Sequence, residues 1–188
     1  MTLDPIALGT ILALLVVAAV LLWWLYRSRR TSALRDRFGQ SEYDRTLDRH
    51  GSRAEGETAL LEREKRVSEL ELHALTPDER ERFARDWHSA KARFVDDPAA
   101  AVGEADRVIR VVMGARGYPI ADFDARYESL TVDHGEVARH YRAGHDIAGR
   151  AVEGQATTEE LRQAMVHYEA LFGELVSASD PATTGTGA

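Results

Sequence analysis

The sequence predicts an all-α protein: a single N-terminal transmembrane helix, a charged helical linker and a C-terminal antiparallel helical bundle. Three observations carry that expectation. An unbroken apolar run fills residues 6–26, reading IALGTILALLVVAAVLLWWLY. Beyond it, apolar positions recur at spacings of three and four behind recognisable capping residues. No stretch shows the alternation or the Val/Ile/Thr density of strands.

The apolar run has no charged residue, and about twenty residues at roughly 1.5 Å each match the ~30 Å hydrocarbon layer. Trp23, Trp24 and Tyr26 crowd its C-terminal edge, where amphipathic rings favour the headgroup level. Arg27, Arg29 and Arg30 follow at once, and each cation beside anionic headgroups gains about 1 kcal/mol. A cleaved signal peptide would begin basic and end at small residues; here the front carries Asp4 and the core is too long. The positive-inside rule then leaves residues 1–5 outside and puts everything after Arg27 in the cytoplasm, at the inner face of the cytoplasmic membrane. Insertion in the opposite sense is the competing arrangement.

Residues 27–75 read as a basic juxtamembrane segment and charged linker. Helix continues to Phe38, where Gly39 can stop it. Ser41 is a plausible cap for the next piece, with Tyr43 and Leu47 on one face and Gly51 at its end. Ala54 to Leu75 reads as a longer Glu- and Arg-rich helix with Leu60, Val67 and Ala74 seven apart. So short a seam rests on its own bundle or forms a weak homodimer through the linker.

Residues 76–178 carry the bundle. Thr76, Pro77 and Glu79 open a helix with the stripe Phe83, Trp87, Ala90, Phe94; Asp97 and Pro98 open the next, with Val102, Ala105, Ile109, Val112. Gly114 and Gly117 end it. Ala121 to Leu130 suggests a short helix, and Asp133 a cap for a helix to about Val152 facing inward through Val137, Tyr141, Ala148 and Val152. Gly144 and Gly149 weaken it. The last helix opens with the Thr157/Glu160 capping box and carries Leu161, Met165, Tyr168, Phe172 and Leu175. Residues 179–188 have nothing to bury and read as a disordered tail.

Composition narrows the chemistry. There is no cysteine, which removes disulfides, thiolate zinc sites, iron–sulfur clusters and cysteine nucleophiles. The net charge of −7, with the basic residues crowded behind the apolar run, argues against a nucleic-acid partner. Glu136 and His140 are four apart and could share a metal, but His145 lies off that face and His134 reads as a solvated or capping residue. His88 and His167 read as polar edges of packed stripes. Asp96-Asp97 before Pro98 suits capping better than acid–base work, and Gly114-Ala115-Arg116-Gly117 follows a helix and lacks the Lys-Ser/Thr of a phosphate loop. No catalytic, cofactor or metal residues are assigned, and no enzyme is expected.

FVDDPAAAVGEADRVIRVVMGARGYP (94–119), LRQAMVHYEALFGEL (161–175) and FGQSEYDRTLDRHG (38–51), taken with the anchor, resemble a family of uncharacterised membrane-anchored helical proteins of high-GC soil bacteria. The resemblance implies the architecture and no activity. The expected function is a non-catalytic binding or scaffolding module held at the membrane, with an unknown protein partner. An envelope-facing structural protein of opposite topology is the alternative, and an enzyme with an unrecognised site comes third.

Overall fold

The computed structural model describes residues 5–178, with side chains from Leu14 onward except at positions 26, 27, 30 and 133. Among the described residues the protein is all-helical, with eight α-helices and no strand. It divides into two compact units after Leu60. The expected tail at 179–188 and most of the outer terminus lie outside the described residues.

The first unit is built on α1 (Pro5–Phe38), α2 (Gln40–His50) and the start of α3 (Arg53–Ser68). α1 is one continuous helix of 34 residues, about 50 Å long. Its last turns bury Thr31, Leu34 and Phe38, a 3-then-4 spacing that makes a single packed stripe. Gly39, at φ 76°, then reverses the chain without a steric cost. Gly39, not Ser41, occupies the N-cap of α2, and no side chain caps there; Ser41 falls inside the first turn and is exposed. The reversal brings Tyr43 into the unit's interior, where it is fully buried. α2 and α3 pack closely at Gly56, where a Cβ would lie 2.9 Å from the Leu47 side chain.

α3 ends at Ser68, short of the expected Leu75. Residues 71–76 are irregular because they are tied to the far end of α5 (Pro98–Ala115). The His73 amide donates to the Arg116 carbonyl at 3.2 Å, and the Arg116 side chain donates back to the His73 carbonyl at 3.3 Å. Gly117 (φ 93°) makes this possible, since a Cβ there would stand 2.5 Å from the Glu71 carbonyl oxygen. Leu75 is buried in the bundle core and Leu72 packs against it. Ala74 is therefore not on a helical seam with Val67, which is itself only 7% exposed.

The bundle comprises α4 (Pro77–Arg93), α5, α6 (Phe123–Asp133), α7 (Gly135–Val152) and α8 (Thr158–Ser177). Both capping boxes form, at Thr76/Glu79 and Thr157/Glu160. Asp97 and Asp122 cap α5 and α6 by accepting from the amides of Ala100 and Ala125. α7 starts differently from expectation: His134 holds the cap position without a side-chain capping bond, and the Asp133 side chain is outside those described. Pairings fix the directions. Trp87 stacks on Phe172 at 4.9 Å while Lys91 meets Glu169, so α4 and α8 are antiparallel. His134 pairs with Glu174 and Arg150 with Glu160, so α7 and α8 are antiparallel too. Asp106 meets Tyr168 and Arg116 meets the Leu175 carbonyl, which makes α5 and α8 parallel.

The predicted stripes of α4, α5 and α8 are buried, with Phe94 half-buried. α7 departs from its pattern: Val152 is 89% exposed, at the last position before the chain turns through Gly154, while Ala138, Tyr141, Gly144 and Ile147 face inward. Gly144 has a packing role. A Cβ there would sit 2.8 Å from the ring of Tyr168, so glycine is what lets α8 lay a tyrosine across α7.

These contacts set measurable costs. Gly144→Ala should lose about 1–3 kcal/mol by overpacking, read from urea denaturation; no loss would mean the ring moves freely. Phe172→Ala should cost about 3–5 kcal/mol. A soluble fragment of residues 61–178 should unfold at clearly higher urea than one of residues 76–178, which lacks Leu72, Leu75 and the bonds to Arg116. Equal midpoints would show that segment to be dispensable.

Candidate functional site

The most unusual surface belongs to α1. Every side chain from Leu14 to Leu25 is exposed. Leu14, Leu15, Val16, Val17, Val20, Leu21 and Leu22 lie between 55% and 68% exposed, with Trp23 and Trp24 both at 60%. A helix apolar on all sides is normally covered by protein or lipid. One turn later the same helix becomes polar outside and packed on a single stripe from Thr31. Among the described residues no helix is long and apolar enough to cross a membrane. The run of described apolar side chains starts only at Leu14, and the first part of the expected 6–26 span lies before it.

Just beyond this surface sits a buried polar node that sequence reading missed. The Glu57 Oε1 atom accepts from the Thr31 hydroxyl at 2.8 Å, the Tyr43 hydroxyl at 2.8 Å and Arg53 Nε at 3.0 Å. Arg53 Nη2 also donates to Thr31 Oγ1 at 2.7 Å. Burial alone would raise the Glu57 pKa, but these donors outweigh it and hold the carboxyl below its usual range. Burial and the neighbouring carboxylate push the Tyr43 phenol up. The node pins α2 and α3 to α1 and holds Arg53 beside Trp23, Trp24 and Ser28, with which it lines a cleft of about 260 Å³. The spacing Arg53–Glu57 (i,i+4) was visible in the sequence; the partners on two other helices were not.

A second node lies in the bundle. Tyr168 donates to Asp106 Oδ1 at 2.8 Å, Arg110 Nε reaches Oδ2 at 3.1 Å, and His145 Nδ1 stands 3.5 Å from Oδ1. His145 also lies flat on Phe123, 3.9 Å between centroids. Burial opposes the Asp106 charge, yet the bonds from His145 and Tyr168 and the Arg110 guanidinium prevail, leaving its pKa lowered. Burial and Asp106 drive the Tyr168 phenol upward. Nearby, Arg126 Nε donates to the Tyr141 hydroxyl at 2.8 Å, and Arg142 stacks over Tyr127 at 3.9 Å.

The other histidines disperse. His140 and His167 bring their Nδ1 atoms within 2.9 Å across α7 and α8, and burial together with His140 lowers the His167 pKa. Glu136 pairs with Arg139 and not with His140. His134 stands 3.9 Å from Glu174, and His88 bonds the Ala84 carbonyl one turn back. Asp97 caps α5, and Asp96 is exposed. Residues 114–117 form the α5 end and carry Arg116, whose Nη1 donates to the Leu175 carbonyl. Among the described residues no three His, Asp or Glu side chains come together as metal ligands.

The fold and its sites thus define an all-helical bundle protein bearing a bare apolar helix and two buried carboxylate nodes. Comparison with protein-family models, with curated proteins and with solved structures finds no match.

The Asp106 node makes a pH prediction. A carboxyl whose folded pKa lies below its unfolded value of about 3.8 contributes stability that is full above that value. The contribution disappears as pH falls through the folded pKa. Asp106→Asn should therefore cost about 1–3 kcal/mol at neutral pH and flatten part of the acid limb of stability below pH ~4. An unchanged acid limb would mean other carboxylates govern it.

Proposed function

We propose that the chain is a non-catalytic binding or scaffolding module tethered by α1 to the inner face of the cytoplasmic membrane. The observation that carries this reading is the bare apolar surface from Leu14 to Leu25. Left in water, each such side chain would forgo about 1.5–3 kcal/mol of burial, and the chain offers these positions little cover. Ile6 to Ala13 continue the same helix with equally apolar sequence, which brings the run to bilayer length. Arg27, Arg29 and Arg30 then favour the orientation with the bundle in the cytoplasm. A tether raises the effective concentration of the acidic bundle toward whatever else is held in that layer, which is the advantage a binding module gains. The non-catalytic reading draws on the two nodes: their carboxylates, Glu57 and Asp106, are buried and occupied in joining helices.

Expressed in a bacterium, the full chain should remain in the membrane pellet after carbonate washing and enter solution only with detergent. Release by carbonate would end the tether reading. A C-terminal alkaline phosphatase fusion should be inactive and a fluorescent fusion bright; the reverse pattern would install the envelope-facing structural protein instead. Since Val67 is buried, Val67→Cys should give no dimer on oxidation in the membrane. Efficient dimer would restore the linker seam.

A further inference from the structure

We infer that the cleft formed by Trp23, Trp24, Ser28 and Arg53 is a headgroup site for an anionic phospholipid, with Arg53 as its phosphate ligand. This inference rests on the membrane reading proposed above and adds a specific partner to it.

Four observations converge. First, the level is right: the cleft begins at the last exposed aromatic pair of the apolar run and ends at Ser28, the first polar residue with a described side chain. Indole rings favour this depth, where lipid phosphates lie. Second, the chain goes out of its way to deliver a cation there. Arg53 is 22 residues beyond Thr31, yet the reversals at Gly39 and Gly51 return it to the same turn of α1. Third, the guanidinium is held in advance. Nε is fixed on Glu57 and Nη2 on Thr31, which settles the plane of the fork at low further entropy cost. An arginine has five N–H donors, so these two bonds leave others for a ligand, and the side chain is 46% exposed. Phosphate oxygens suit such a planar fork. Fourth, the space fits. About 260 Å³ holds a phosphodiester with some of its water, at roughly 30 Å³ per water.

Charge selects the class of lipid. Glu57 is buried, its Oε1 atom taken up by Thr31, Tyr43 and Arg53, so the face that the cleft presents to a ligand is the half-exposed guanidinium. Among the described residues the lining holds this cation and no carboxylate, which favours a lipid with net negative charge over a zwitterion. Arg29 follows Ser28 in the chain and is exposed, outside the lining of the cleft. Ser28 and the Trp24 indole add donors that can bond the phosphate or the headgroup hydroxyls of a phosphatidylglycerol.

The test uses the full chain in nanodiscs of equimolar phosphatidylglycerol and phosphatidylcholine, with lipids retained after gentle detergent release counted by native mass spectrometry. Wild type should retain the anionic lipid over the zwitterionic one by roughly fivefold, the ratio that one well-placed cation supplies. Arg53→Gln should bring the ratio close to parity, whereas Arg29→Gln, off the cleft, should leave most of it. Because Arg53→Gln also disturbs the Glu57 node, a second reading needs no variant. In wild type, brominated phosphatidylglycerol diluted in phosphatidylcholine should quench indole fluorescence more than brominated phosphatidylcholine diluted in phosphatidylglycerol. Trp87, buried in the bundle, gives a constant background. Equal retention and equal quenching in a protein that still resists carbonate would overturn the headgroup site and leave the tether standing. Loss of the bound lipid to millimolar inorganic phosphate would reassign the cleft to free phosphate and overturn the lipid assignment. Release by carbonate would remove the membrane reading itself.

Discussion

The hydrogen bond from Tyr168 to Asp106 is the interaction on which the bundle depends. It joins α8 to α5 in its interior, and the ring that makes it can lie there only because Gly144 leaves α7 without a Cβ. Three helices are thus fixed by one side chain. Arg110 and His145 complete the acceptor's shell, so a carboxylate whose charge burial opposes has its pKa lowered instead of raised. Breaking one partner leaves the others facing a buried charge, which is costlier than the single bond suggests. The apolar stripes supply most of the driving force for collapse; this node chooses the arrangement in which the stripes meet.

The first unit repeats the device on a smaller scale. Glu57 gathers Thr31 from α1, Tyr43 from α2 and Arg53 from its own helix. The end of α1 and two shorter helices obtain a defined geometry from one acceptor. The consequence reaches beyond stability, because the same bonds aim Arg53 at the boundary between the apolar and polar halves of α1. A structural node and a candidate ligand site share one guanidinium. That arrangement links any occupant of the cleft to the packing of α2 and α3 on α1.

The sequence by itself determined the all-helical fold class and the ends of most helices. Capping is local: Thr76/Glu79, Asp97 and Thr157/Glu160 act within one turn, so their spacing in the chain is their spacing in space. The stripes of α4, α5 and α8 were legible for the same reason, since 3.6-residue periodicity puts them on one face before any partner is known. Tertiary structure decided the rest. α3 stops at Ser68 because residues 71–75 are held by Arg116 and by the space at Gly117, some forty residues away. Gly144 reads as a weak point in a helix until the ring of Tyr168 is placed against it. Glu57 and Asp106 look like two more acids on charged faces, and only the crossing of helices turns them inward. Local rules govern where a helix begins; which polar group may be buried depends on donors that other helices bring to it.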